Sequence, residues 1–281
     1  MNKQSRFVIV GLGLLGGAYA LGLRKAGFEH VAAIDLKEEA LAFAKEKNYI
    51  EEGRTEGFEA LLARADYVIF SLYPTAFIQW VEKYGALLPA GCLCTDVSGV
   101  KAGLVEKVQA LLPEGVEFIA SHPMAGKERS GFDASEASLF YNASYILVPG
   151  EAPQSATDTL VSLAKSMGFG TIKYCTQQKH DRMIAYTSQI PHVLACAYVM
   201  SPRCDEHSGF SAGSYRDVSR VARINAELWA DLFLANREEL ADETEELVRN
   251  IERIRAAVAK NDRAELVALL SSAREKKEKF G

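Results

Sequence analysis

Histidine and cysteine are scarce in this chain, with five of each among 281 residues. The cysteines stand at 92, 94, 175, 196 and 204, an odd number scattered along the chain, which argues against a disulfide framework. All five are expected as reduced thiols in a cytoplasmic protein. No Cys/His cluster has zinc spacing, so no metal is expected. Long Lys/Arg blocks are also missing and the net charge is −5, which argues against a nucleic-acid surface. The apolar runs are too short and too interrupted by glycine for a membrane span. The segment Met1 to Arg6 leads straight into a strand pattern, so no signal peptide is expected. What remains is an ordinary globular composition, 48% hydrophobic and 25% charged, and the length predicts two domains.

Residues 1–176 alternate strand-like and helix-like pieces. Strands are expected at Arg6 to Val10, Val31 to Ile34, Ala65 to Leu72, Leu93 to Val97, Glu117 to Ser121, Tyr145 to Val148 and Thr171 to Cys175. Their near-continuous apolar content suits strands covered on both faces by helices. Helices are expected at Leu14 to Ala26, ended by Gly27, and at Glu38 to Lys47. This alternation predicts a doubly wound, mostly parallel sheet, an α/β fold.

Strand signals stop after Cys175, so residues 177–281 are expected to form an all-helical domain. Lys179 to Met200 reads as a long helix that Pro191 should kink or split. Leu240, Thr244, Leu247, Ile251, Ile254 and Val258 form one apolar stripe of a further helix. Asp262-x-x-Glu265 is a capping signal for a last helix. About 105 residues of helix make a weak core alone, so a homodimer through this half is expected.

The run Gly11-Leu12-Gly13-Leu14-Leu15-Gly16 follows a strand and opens a helix. The first glycine permits a tight turn, the second lets a pyrophosphate approach the backbone, and the third lets helix and strand pack closely. Asp35 follows Gly16 by nineteen residues, at the end of the second strand. A carboxylate there accepts hydrogen bonds from ribose hydroxyls and repels a 2′-phosphate, which favours NAD over NADP, although Lys37 stands nearby. Ser71, Leu72 and Pro74, at the end of a neighbouring strand, are expected to line the ribose and adenine side. An ordinary turn capped by Thr75 would read the same.

His122 ends a strand on the same sheet edge as the glycine turn. Position alone leaves two readings, a loop cap or a base whose pKa of roughly 6.5 suits work near neutrality. His192, after Pro191, reads as either a satisfied core residue or a pocket ligand. His30, His180 and His207 have no supporting context. Arg216, Arg220 and Arg223 stand at steps of four and three and would share one face if this stretch is helical. They suit either a dianionic substrate or a solvated face paired with Glu227 and Asp231.

Together these segments resemble the prephenate dehydrogenases, which share their fold with arogenate dehydrogenases. The resemblance is carried by VGLGLLGG at 10–17, TDVSGVK at 95–101, HPMAGKERSG at 122–131 and LF at 139–140. It continues in TSQIPHVLA at 187–195 and YRDVSRVARINAELWADLFLAN at 215–236. It spans nearly the whole chain. It implies a Rossmann-type NAD domain, then an all-helical substrate and dimerisation domain. It also implies NAD-linked oxidation of a ring alcohol with loss of the ring carboxylate as CO2. The substrate would be prephenate or arogenate.

By this resemblance His122 is the catalytic histidine that hydrogen-bonds the ring hydroxyl. Arg220 binds a substrate carboxylate, His192 and Ser188 are pocket residues, and Trp229 is either a packing or a pocket residue. Gly99 stands where the pattern commonly has a serine that binds the hydroxyl, and Ser98, one residue earlier, is the candidate for that role. Lys127 stands after Gly126 where Ser or Thr is usual, and either binds a carboxylate or faces solvent. No mutase segment is expected before the glycine turn and no regulatory domain after the helical half, so any tyrosine inhibition is expected at the active site. A 3-hydroxyacid dehydrogenase would instead need a catalytic lysine early in the helical half, where Lys179 is the only candidate. A non-catalytic dinucleotide sensor would leave His122, His192 and Arg220 unexplained.

Overall fold

The computed structural model describes residues 1–127, 129 and 131–280. Its first half is one eight-stranded sheet. The strands are β1 (Arg6–Val10), β2 (His30–Ile34), β3 (Glu52–Arg54), β4 (Tyr67–Phe70), β5 (Leu93–Asp96), β6 (Glu117–Pro123), β7 (Ser144–Val148) and β8 (Thr171–Tyr174). Their order across the sheet is β3-β2-β1-β4-β5-β6-β7-β8. Neighbours from β3 to β6 pair in parallel, β7 runs antiparallel to β6, and β8 is parallel to β7. The sheet is therefore mostly parallel, with a reversed edge.

Helices cover both faces: α1 (Leu14–Lys25), α2 (Glu38–Glu46), α3 (Glu59–Leu62), α4 (Pro74–Tyr84), α5 (Leu104–Leu111) and α6 (Gln154–Ser166). Successive strand residues point to opposite faces, and here both faces are buried. Ile9, Val31, Ala33, Ile69 and Ile119 pack under α1 and α6, against Tyr19, Leu23, Leu160 and Leu163. Val8, Val10, Val68, Phe70, Cys94 and Phe118 pack under α4 and α5, against Phe77, Val81, Leu104 and Val108. Cys92 and Cys94 are buried at β5, and all five cysteines are free thiols.

Two departures from the sequence reading shape the sheet. β3 lies where no strand was expected, because Glu-Gly-Arg carries neither β-branched nor aromatic residues. β6 continues through His122 and Pro123, which pair with Ile146 and Tyr145 of β7. His122 is thus held inside a strand rather than just beyond one.

The second half is helical: α7 (Gln177–Ile184), α8 (Ile190–Val199), α9 (Gly213–Ser219), α10 (Ala226–Ala235), α11 (Arg237–Ala259) and α12 (Arg263–Phe280). The long helix expected over 179–200 is split. A π-helical segment, Ala185–Gln189, separates α7 from α8, and Pro191 stands in the first turn of α8. Proline offers no N–H to the carbonyl of Thr187, so the regular ladder cannot run through. The apolar stripe falls on α11, where Leu240 is buried while Ile251, Ile254 and Val258 are exposed. Asp262 Oδ1 accepts from the Glu265 amide at 3.0 Å and caps α12. No helix among the described residues is long and apolar enough to cross a membrane.

Candidate active site

In a doubly wound sheet the ligand crevice opens where strand order reverses. Here that point lies between β1 and β4, at their carboxyl ends. Gly11 has φ +93°, and a side chain there would collide with the Ser71 carbonyl. A side chain at Gly16 would collide with the Gly11 carbonyl. A Cβ built on Gly13, by contrast, meets nothing within 4 Å, so open space lies where a pyrophosphate would approach. No side chain caps the first turn of α1 and no acidic residue stands in it, leaving its amides for an anion. Ser135 donates to the Leu14 carbonyl at 2.8 Å and braces the turn, a support the sequence gave no sign of.

Asp35 is fixed against this turn. Its Oδ2 accepts from the Leu12 amide at 2.6 Å and its Oδ1 from the Lys37 amide at 2.8 Å. Each oxygen keeps a further lone pair.

The crevice runs from the turn to the helical half as a cavity of about 580 Å3. Gly13, Leu14, Leu15, Ser71, Leu72 and Pro74 line its end beside the glycine turn. Ser98, His122, Gly126 and Lys127 line its middle, and His192, Arg220 and Trp229 line the far wall. Gly11, Leu12, Gly16 and Asp35 stand behind the wall and shape the turn. Lys127, Arg129, Arg220 and Arg223 all line the cavity, and no described carboxylate does, so it is suited to anions.

His122 is held by a chain of polar groups. Its Nδ1 lies 2.9 Å from His180 Nε2, and His180 Nδ1 lies 2.6 Å from Asp181 Oδ1. His180 and Asp181 are buried beside His122, which corrects the expectation that His180 has no supporting context. Burial, His180 and the Lys101 ammonium push the His122 pKa well below the usual 6.5, so the ring is neutral at neutral pH. Burial also lowers His180.

Beneath His122, the buried Asp96 gathers three segments. Its Oδ1 accepts from the Ser121 amide at 2.9 Å, and its Oδ2 from the Ser98 amide at 2.9 Å and Lys101 Nζ at 2.5 Å. Lys101 Nζ also donates to the carbonyls of Ser121 and Ser98. The Lys101 amide donates to Asp181 Oδ1 at 2.8 Å and ties the two halves together. Ser98 Oγ is buried with no hydrogen-bond partner among the described residues. Gly99 lies beside the histidine: a Cβ there would be 4.0 Å from His122 Cε1 and 3.3 Å from Leu232 Cδ2.

On the far wall, His192 stacks on Trp229 with ring centroids 3.6 Å apart. His192 Nδ1 lies 2.7 Å from the Ser188 carbonyl, which can only accept, so Nδ1 carries the proton. Ser188, in the π-helical segment, does not itself line the cavity. The three arginines do not share a helix face, because α9 ends at Ser219 and a 3-10 turn, Arg220–Ala222, follows. Arg220 and Arg223 reach the cavity, while Arg216 is exposed beside Asp217 and does not. Lys127 Nζ pairs with Glu136 at 2.7 Å, which holds the Glu136 carboxyl below the usual carboxylate range. Glu128 and Ser130, inside the same motif, lie outside the described residues. His30 pairs with Glu51, and His207 with Ser211, both away from the cavity.

The sequence matches the family profile described as prephenate dehydrogenase, nucleotide-binding domain, over residues 19–172. It matches the profile described as prephenate dehydrogenase, dimerization domain, over residues 176–272. It is 28% identical to a prephenate dehydrogenase of Bacillus subtilis, covering 98% of this chain and 76% of that one. The fold superposes on a prephenate dehydrogenase from A. aeolicus, solved in complex with hydroxyphenyl propionate and NAD+. That match has a TM-score of 0.89 and 25% identity over 99% of both chains. A Synechocystis arogenate dehydrogenase matches with TM-score 0.82 and 25% identity, covering 98% of this chain and 100% of that one.

Proposed function

The chain belongs to the prephenate dehydrogenase family, and we propose that it carries out the NAD-dependent oxidative decarboxylation of prephenate to 4-hydroxyphenylpyruvate, in tyrosine biosynthesis. The observation that carries this reading is the position of His122. It stands in one cavity between the glycine turn and a cationic wall of the helical half. The residues present fit NAD. Gly13 opens onto free space, the first turn of α1 is uncapped, and Asp35 is fixed where a ribose would meet it. Bound NAD supplies the hydride acceptor for the ring carbon that carries the hydroxyl.

The protein has two tasks, because aromatisation of the ring supplies the driving force. It orients the ring against the nicotinamide side, and it manages the hydroxyl proton. Neutral His122 accepts that proton as the hydride leaves. Ser98 Oγ, buried with no hydrogen-bond partner among the described residues, supplies a further hydrogen bond to the same hydroxyl. Arg220 binds a substrate carboxylate, with His192 shaping the wall on Trp229. Gly126 and Lys127 border the substrate side, the lysine already paired with Glu136.

Arogenate is the second reading, favoured by the likeness to the Synechocystis arogenate dehydrogenase. A 3-hydroxyacid dehydrogenase is disfavoured because Lys179 is exposed and does not line the cavity. NADH formation with prephenate, with arogenate and with 3-hydroxyacids separates the three. Turnover of prephenate with the highest kcat/KM supports the proposal, and turnover of only a hydroxyacid overturns it. The exposed Ile251, Ile254 and Val258 of α11 would bury against a second copy, which supports a homodimer through the helical half. The scattered, unpaired cysteines suit the cytoplasm.

A further inference from the structure

We propose that His180 is a positioning residue that fixes the tautomer of His122 and shares the proton His122 takes up. The inference rests on the reading of His122 as the base. Its geometric part stands on the His180 contacts alone.

The tautomers follow from the partners. Asp181 Oδ1 is a carboxylate oxygen and can only accept, so His180 Nδ1, 2.6 Å away, carries a proton. Neutral His180 then has a bare Nε2. That nitrogen lies 2.9 Å from His122 Nδ1, so His122 Nδ1 must donate to it. His122 Nε2 is left as the bare nitrogen, the form a base needs. The opposite tautomer of His122 would set two bare nitrogens against each other in a buried site. Asp181 is itself held by the Lys101 amide at 2.8 Å, and its carbonyl accepts from Asn236 Nδ2 at 3.0 Å. The orienting group is thereby fixed from both halves of the chain.

The proton balance explains why such a closed chain suits the reaction. The ring hydroxyl gives its proton to His122 Nε2 while the hydride leaves the same carbon. The carboxylate bond breaks, CO2 departs, and its electron pair completes the aromatic ring. The oxygen, now a phenolate, takes the proton back. No net proton is released, so the site needs a place to store one rather than a path to solvent. A protonated His122 can share its Nδ1 proton with His180 Nε2, and the Asp181 carboxylate offsets the charge. The other charged groups around the pair are Asp96 and Lys101 beneath β6, and Lys127, Arg129, Arg220 and Arg223 on the cavity wall. The cationic members raise the cost of leaving that proton on His122 alone.

The test combines a structural and a kinetic measurement on the full chain. Nitrogen-15 NMR of histidine-labelled enzyme at pH 7.5 reads the tautomers directly. The expected result is Nδ1–H on both His122 and His180. An Nε2–H tautomer of His122 overturns the proposal whatever the activity. His180→Leu removes the acceptor, while His180→Gln places an amide oxygen near the lost Nε2. With prephenate, His180→Leu is expected to lower kcat by roughly tenfold or more, part of what a well-oriented base contributes. Its KM should stay within about twofold, and His180→Gln should recover most of the loss. A folded His180→Leu enzyme with wild-type kcat overturns the proposal. If the leucine variant does not fold, the wild-type tautomers and the glutamine variant decide. Wild-type enzyme that leaves prephenate and arogenate unchanged would defeat the functional reading, while the spectrum would still report on the histidine pair.

Discussion

Lys101 Nζ and Asp96 Oδ2 lie 2.5 Å apart, and both side chains are closed off from solvent. A buried ion pair is weak evidence of net stability, because desolvating two charges offsets their attraction. Removing one partner is another matter. Lys101→Met should destabilise the protein by about 3–5 kcal/mol, the usual consequence of an uncompensated buried charge. Asp96→Asn together with Lys101→Met should lose less than the lysine change alone. Denaturant unfolding of the single and double variants measures the difference. Equal losses would show that Asp96 does not depend on this partner.

Ser98 makes the opposite prediction for stability. Its Oγ is buried without a partner among the described residues, so removing it gives up no hydrogen bond within the protein. Ser98→Ala should keep or slightly raise the Tm. It should also lower kcat/KM for prephenate by roughly tenfold, the scale of about 1.4 kcal/mol lost from one hydrogen bond in the transition state. Thermal melts and initial rates together check this. A loss of Tm with unchanged kinetics would make Ser98 structural.

Asp35 bonds the Leu12 and Lys37 amides, so it shapes the turn as well as standing where the proposed cofactor's ribose would bind. Asp35→Ala should therefore weaken NAD binding and also bring NADP closer to it in kcat/KM. The ratio of kcat/KM for the two cofactors should fall about tenfold or more, as expected for one charge contrast worth about 1.4 kcal/mol. Wild-type enzyme that already prefers NADP would contradict the role given to this carboxylate.

Acid should destabilise the fold through its histidines. Both His122 and His180 have pKa values below the ordinary 6.5, chiefly because of burial. As pH falls below that unfolded value, the unfolded chain takes up protons that the folded chain refuses. Stability is therefore full above about pH 6.5 and declines below it, until the folded-state pKa values are reached. Activity should hold over the same range, because His122 stays neutral. Melting temperatures across pH 5 to 8 test the sign. His180→Gln should show a shallower decline than wild type.

Much of this architecture was legible because its signals are local. The glycine turn, Asp35 and the apolar strands each carry their own pattern, and a mostly parallel sheet follows from the alternation of strands and helices. β3 was missed because three residues without apolar content give no period to read. The extension of β6 through His122 depends on pairing with β7, a partner supplied by distant sequence. The arginine face failed because it assumed one helix across residues 216–223, where the backbone tightens at Arg220. His180 was overlooked because it sits in a polar run, Gln177 to Arg182. One signal was available: His180 lies four residues before Ile184, and both face the interior. A histidine on the buried face of a polar helix, beside an aspartate, asks for a partner. Its partner, His122, lies 58 residues earlier, and only the folded chain brings them together.

The proposed role of His122 is to take the hydroxyl proton. It is tested most directly by initial-rate NADH formation from prephenate with wild-type and His122→Asn enzyme at saturating NAD. In the variant kcat should fall by roughly a hundredfold or more, the scale of general-base loss, with NAD affinity unchanged. A folded variant with near wild-type kcat would contradict it.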